Sequence, residues 1–197
     1  MNFLGHFVLA GEDEGLLIGN FIADFVKGKA YQEYPAPIAK GILMHREIDF
    51  YTDNHPDFKQ SKKRISEKYH HFSGVIIDIF YDHYLAVDFE KIKGKNLETY
   101  AQSRYAIIDK NLQYLPANSR HLFTYMKRDN WLKRYEELSG ISRTLEGMSR
   151  RIKRENQLDE AIHDLQLHYR DMQEDFRRFF EDAVGNFSSF DRNRPYL

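Results

Sequence analysis

The sequence predicts an all-α fold arranged as a single bundle-like helical domain. Three observations carry that prediction. Apolar residues recur mostly three to four apart, the period of one helix face. Sustained two-residue alternation, the mark of a half-buried strand, is absent. Only five prolines and eleven glycines interrupt 197 residues, so most of the chain can run as helix.

The elements follow in chain order. Glu14 to Lys27 reads as a helix ended by Gly28. Tyr34-Pro35-Ala36-Pro37 is a break, and a second helix spans Ile38 to Tyr51. Asp53-Asn54-His55-Pro56 is a turn, with Asp53 or Asn54 placed to cap the amphipathic helix Asp57 to Tyr69. Phe72 to Val87 is strongly apolar and belongs at the centre of the core. After Lys93-Gly94-Lys95-Asn96, a helix runs from Leu97 to Leu115. Pro116 to Ser119 starts a short one, and Asp129 or Asn130 caps another toward Leu138. Ser139-Gly140 breaks it, Ile141 to Ile152 resumes the pattern, and Gln157 to Ala183 reads as one long amphipathic helix. Residues 1–185 are expected to form one helical domain and 186–197 a loosely structured tail.

Composition narrows the function. Without cysteine there are no disulfides, thiolate metal sites or cysteine nucleophiles. A formal net charge of −1 argues against a globally basic nucleic-acid binder, so an acidic partner would have to meet a local basic patch. No run of about eighteen apolar residues exists, and membrane insertion is not expected. The opening Met1 to His6 lacks the basic start and apolar stretch of a signal peptide, so a cytoplasmic location is expected.

His45 and Asp49 stand four apart, and four residues advance about 400° around a helix, so both side chains share a face. A neutral imidazole and a carboxylate so placed can reach one divalent ion. A His–Asp hydrogen bond or a solvated face would carry the same spacing. Asn20 and Asp24 repeat it within the apolar run Leu16 to Val26, where a carboxylate is costly unless paired, hydrogen-bonded or metal-bound. The plainer alternative is a helix whose polar face holds both. Asp78 and Asp82 repeat the spacing inside Gly74 to Leu85, with His83 next. Two stacked carboxylates repel when ionised, and a shared cation or an arginine such as Arg46 would relieve that repulsion.

If the three pairs converge, they form a pocket of oxygen and nitrogen donors suited to Mn²⁺, Mg²⁺, Fe or Zn²⁺. In a hydrolytic site such an ion activates water and polarises a phosphoryl oxygen. Arg46 adjoins His45, and its forked donors suit phosphate. No Gly-rich phosphate loop, G-x-S-x-G elbow or H-E-x-x-H motif is present. His6, beside Phe3, Leu4 and Phe7, also suits a satisfied core position. Arg150, Arg151, Lys153 and Arg154 put four cations in a six-residue stretch, a candidate partner surface. Lys59, Lys62, Lys63 and Arg64 form a second cluster, equally readable as a solvated face.

These residues also carry a resemblance. The opening Met1-Asn2-Phe3-Leu4 with His6, Gly19-Asn20, Ala23-Asp24-Phe25-Val26 with Gly28, and Gly41-Ile42 begin it. Met44-His45-Arg46, Ile48-Asp49, Thr52-Asp53-Asn54, Pro56, Asp78 and Asp82-His83 continue it. Trp131-Leu132, Arg134-Tyr135 and Gly147-Met148 with Ser149-Arg150-Arg151 complete it. In order and spacing the sequence resembles the acyl carrier protein phosphodiesterases, an unusual branch of the HD-domain phosphohydrolases. The resemblance implies a helical, Mn²⁺-favouring hydrolase that removes 4′-phosphopantetheine from the serine of holo-acyl carrier protein. It implies Asp24, His45, Asp49 and Asp82 as ligands of one or two ions, with Arg46 on the phosphoryl oxygens and His83 or His6 protonating the departing serine oxygen. Asn20, Asp53 and Asp78 would orient the ligands. Ordinary HD proteins carry adjacent His and Asp, whereas here the pair is His45-x-x-x-Asp49. A phosphohydrolase of a nucleotide or other small phosphoester, or a non-catalytic helical module for an acidic partner, would show much the same cluster.

Overall fold

The chain opens with a helix that periodicity does not mark. In α1 (Phe3–Ala10), every residue from Leu4 to Ala10 is buried, so there is no polar face to give a period. A computed structural model describes residues 1–154, 156–188 and 190, and among them there is no strand. α2 (Glu14–Ile22) starts where the Asp13 side chain accepts the Leu16 N–H. It ends at Ile22, not Lys27, and the chain tightens into a 3₁₀ turn, Ala23–Phe25. That turn takes Asp24 off the helix face it was expected to share with Asn20.

α3 (Ala36–Asn54) follows Pro35, and α4 (Pro56–Tyr69) follows at once. The cap of α4 is His55, whose Nδ1 accepts the Asp57 N–H, and not Asp53 or Asn54. α5 (Ser73–Val87) lies in the core as expected, with Ile76, Ile77, Ile79, Phe80, Tyr81 and Tyr84 buried. α6 (Phe89–Lys93), α7 (Leu97–Lys110), α8 (Ala117–Arg128) and α9 (Trp131–Arg134) follow. α10 (Leu138–Arg151) runs straight through Gly140. That glycine does not break the helix. A β-carbon there would lie 2.1 Å from the Arg134 carbonyl oxygen, so it lets α10 touch the end of α9. The expected long C-terminal helix divides at His168 into α11 (Ala161–Leu167) and α12 (Tyr169–Ser188). Residues 186–188 therefore belong to α12. The rest of the expected loose tail lies outside the described residues, Phe190 apart.

The closest packing is between α2 and α3. A β-carbon on Gly19 would lie 2.2 Å from the Ile38 oxygen and 2.5 Å from the Gly41 Cα, so the two backbones meet there. The contact holds α2, with Asn20 next to Gly19, against the helix that carries His45 one turn after Gly41. Gly41→Ala would force the helices apart and is expected to cost about 3 kcal/mol. Thermal denaturation should show this as a fall of roughly 6–12 °C; an unchanged melting temperature would refute the contact.

At the opposite side, α12 packs on α4 around buried Asp175. Its carboxylate accepts from Ser61 Oγ at 2.8 Å, from Arg178 at 2.7 Å and from Arg64. Arg64, expected in a basic surface cluster, thus completes a structural ion-pair network. No helix among the described residues is long and apolar enough to cross a membrane.

Candidate metal centre

One helix and one turn meet over α3. His6 comes from α1, His45 and Asp49 from α3, and Asp24 from the turn after α2. The His6 and His45 rings stack with centroids 4.0 Å apart. Asp49 lies against both: its Oδ1 is 3.2 Å from His6 Nε2 and its Oδ2 is 3.1 Å from His45 Nε2. Asp24 Oδ1 is 3.5 Å from the same His45 nitrogen. One donor atom from each of His6, His45 and Asp49 falls within 4.8 Å of the others. Both imidazoles are buried, while the Asp49 and Asp24 side chains are 46 % and 71 % exposed. The centre is therefore closed behind the rings and open at the carboxylates.

The hydrogen bonds around His6 show what the cluster suits. Asn20 donates from Nδ2 to the Leu16 oxygen at 2.9 Å, so its Oδ1 is left to accept from His6 Nδ1 at 3.2 Å. A neutral ring then has a lone pair at Nε2. Facing that lone pair are the Met1 carbonyl oxygen at 3.1 Å and the Asp49 carboxylate. All of these are electron-pair donors. Protonating the ring would resolve the conflict, but burial and the neighbouring His45 push His6 down to about 4. His45 shows the complementary state. Burial lowers its pKa, yet hydrogen bonds to Asp24 and Asp49 outweigh that and lift it to about 9. Burial raises Asp49, but His45 and His6 more than reverse this and hold its carboxyl far below the usual range. His45 Nδ1 is buried with no partner among the described residues. Two imidazole nitrogens and a carboxylate converge without enough protons to go round. That donor set fits a divalent cation, which would compete with the His45 proton.

Several expected members lie elsewhere. Asp82 is fully buried, and its two oxygens accept the N–H groups of Asn2, Leu4 and Gly5 at 3.2, 2.7 and 3.0 Å. It caps the start of α1, and both of its oxygens are engaged there. Asp78 accepts from the Met1 amino group at 2.7 Å. The shared cation expected between these two carboxylates is the Met1 ammonium, whose charge acts on both, with the N–H groups at the start of α1 beside it. His83 faces the Tyr135 carbonyl at 2.7 Å through Nδ1 and the Tyr169 hydroxyl at 3.0 Å through Nε2. Both of its nitrogens are engaged, and it is not among the residues that line the cleft. Arg46 does not point at a phosphate site either. It donates to the Val26 oxygen at 2.8 Å and the Gly28 oxygen at 2.9 Å, with Tyr31 beneath its guanidinium. These bonds pin the segment that follows Asp24. Asn20 meets His6, and Asp53 lines the cleft beside the centre.

The centre opens into a cleft of about 870 Å³. Val75, Leu122, Trp131 and Met148 give it an apolar wall. Helix α10, which supplies Met148, also presents Arg143, Gly147 and Arg151 to it. Arg143 had not stood out in the sequence. Its signal was there as spacing: 143, 147 and 151 step by four along one helix. Of the expected partner surface, Arg150, Arg151, Lys153 and Arg154 are all exposed, and Arg151 also lines the cleft.

Comparison with known proteins gives the family. A family model described as acyl carrier protein phosphodiesterase matches residues 1–183. The acyl carrier protein phosphodiesterase of Photorhabdus laumondii is 35 % identical over 181 residues, 91 % of each chain. That of Yersinia pestis is 34 % identical over 181 residues, covering 91 % of this chain and 94 % of its own. The protein of the same name from Enterobacter sp. is 34 % identical over 184 residues, with the same shares. No solved structure matches this chain.

Proposed function

Because the chain belongs to the acyl carrier protein phosphodiesterase family, we propose that it hydrolyses the phosphodiester joining 4′-phosphopantetheine to a serine of holo-acyl carrier protein. The observation that carries a hydrolytic reading is the convergence of His6, His45 and Asp49 within 4.8 Å at the base of an open cleft. Water adds to phosphorus, the bond from phosphorus to the serine oxygen breaks, and that oxygen takes a proton. The products are apo-carrier protein and free 4′-phosphopantetheine.

His6, His45 and Asp49 would hold a divalent ion, with Asp24 at its exposed edge. Mixed nitrogen and carboxylate donors favour Mn²⁺ or Fe over Mg²⁺, and Mn²⁺ is the ion we propose. When bound, such an ion lowers the pKa of water and polarises a phosphoryl oxygen. Asn20 fixes the His6 tautomer, so that Nε2 presents its lone pair toward Asp49. Asp24, hydrogen-bonded to His45 yet exposed, is placed to take up a proton from the attacking water. Arg46 is a positioning residue, because it ties down the carbonyls of Val26 and Gly28 next to Asp24.

Acyl carrier proteins are small and acidic. Arg150, Lys153 and Arg154, exposed beside the cleft, would steer such a partner and raise its association rate at low salt. The protein would then work in the cytoplasm, where its substrate is made. The kinship with HD-domain hydrolases is part of this proposal and rests on sequence.

The test is release of 4′-phosphopantetheine from holo-carrier protein, followed by the mass lost from the carrier. Chelation is expected to abolish release and Mn²⁺ to restore it. If a nucleotide panel is hydrolysed while the carrier's mass stays constant, the proposal is wrong.

A further inference from the structure

The substrate's phosphodiester is anionic, and Arg46, the cation expected to hold it, is turned to backbone carbonyls. Another part of the cleft has what is needed. Arg143 and Arg151 lie on α10 eight residues apart, slightly over two turns, so both face the same way. Each lines the cleft that contains His6, His45 and Asp49. Neither has an ion-pair partner among the described residues, whereas Arg150, on the same helix, is paired with Glu146. Arg151 engages only its Nε, which donates to the Gly147 oxygen at 3.0 Å, while Arg46 engages both terminal nitrogens.

Between the two arginines is Gly147. A glycine inside a helix is less stable than alanine, so its presence needs a reason. Packing does not supply one: a β-carbon at Gly147 would meet nothing within 4 Å. In that it differs from Gly140, which α9 crowds to 2.1 Å. Gly147 lines the cleft, so its bare backbone opens room there. The wall formed by Val75, Trp131 and Met148 is apolar, as suits the pantetheine arm with its gem-dimethyl and methylene groups.

Resting on the proposed function, we infer that the face of α10 bearing Arg143, Gly147 and Arg151 seats the phosphopantetheine group. The two guanidinium groups hold the phosphodiester oxygens against the His6–His45–Asp49 centre. Gly147 leaves the notch through which the arm lies on the apolar wall.

The test uses the full chain loaded with Mn²⁺, with holo-carrier protein as substrate, and Mn²⁺ affinity and melting temperature measured beside turnover. Arg143→Ala is expected to lower kcat/KM about 10²-fold, as loss of one charge-stabilising donor does. Arg143→Lys should recover only part of this, because a point charge replaces a fork. Gly147→Leu fills the notch and should raise KM at least about tenfold, with kcat less affected. Mn²⁺ affinity should be unchanged in all three. Calorimetric titration with free 4′-phosphopantetheine should show weaker binding to Arg143→Ala than to the wild type, independent of turnover. Wild-type turnover and product affinity in both Arg143→Ala and Gly147→Leu would overturn the inference while leaving the proposed function intact. A wild-type enzyme that releases no 4′-phosphopantetheine would overturn both.

Discussion

Asp49→Ala is expected to abolish turnover, with kcat/KM falling at least about 10³-fold. The reason is geometric. Asp49 is the single carboxylate in contact with both imidazoles, its two oxygens reaching His6 at 3.2 Å and His45 at 3.1 Å. Without it, two buried imidazole nitrogens remain close together with less negative charge to attract a divalent ion. A metal's stabilisation of transition-state charge amounts to several kcal/mol, and about 4 kcal/mol corresponds to roughly 10³ in rate. The fold should survive, because the Asp49 side chain is 46 % exposed, His6 keeps Asn20 and the Met1 oxygen, and His45 keeps Asp24. Loss of activity without loss of fold, read by steady-state kinetics beside a thermal melt, checks this. A variant that keeps more than a tenth of wild-type kcat/KM would show that the ion, if bound, is held elsewhere.

The opposite signature is expected for Asp82→Ala. This carboxylate is fully buried and accepts three backbone N–H groups at the start of α1. Truncating it leaves those donors without acceptors in the interior. Each buried orphan costs about 1–3 kcal/mol, and breaking a buried charged network typically costs about 3–5 kcal/mol. A chain of this length should then melt roughly 6–20 °C lower. The effect should appear in the metal-free protein, since it does not depend on an ion. If Asp82 were instead a ligand, Asp82→Ala would lose the ion and leave the metal-free melting temperature near that of the wild type.

These contrasting residues show which parts of the molecule the sequence discloses. The fold class is legible because most helices have one apolar face and one polar face, so their period survives in the sequence. α1 lacks that contrast: it is buried all round, and a period needs two faces. His45 and Asp49 are legible because both ligands lie on one helix, four residues apart. Asp24 is legible as a member but not as to its setting, because the helix ends two residues before it and leaves it exposed.

The setting of Asp82 is not legible, for a different reason. Its partners lie about 80 residues away, and a carboxylate that caps another helix has the same spacing as one that binds metal. His83 and Arg46 follow the same rule. Being next to a candidate ligand in sequence turns a side chain about 100° around the helix, away from that ligand's direction. His83 consequently meets Tyr135 and Tyr169, and Arg46 meets the chain after Asp24. His6 was underrated, because an apolar neighbourhood suits a core histidine equally well. Only the crossing of α1 with α3 stacks it on His45.

The central claim is that His6, His45 and Asp49 together hold a divalent ion. Equilibrium titration of the metal-free protein with Mn²⁺, read by electron paramagnetic resonance, tests it most directly. The wild type should bind the ion, and His6→Ala, His45→Ala and Asp49→Ala should each weaken binding at least about 10²-fold, while His83→Gln binds like the wild type. Wild-type affinity in Asp49→Ala, or no Mn²⁺ binding by the wild type, would contradict the claim.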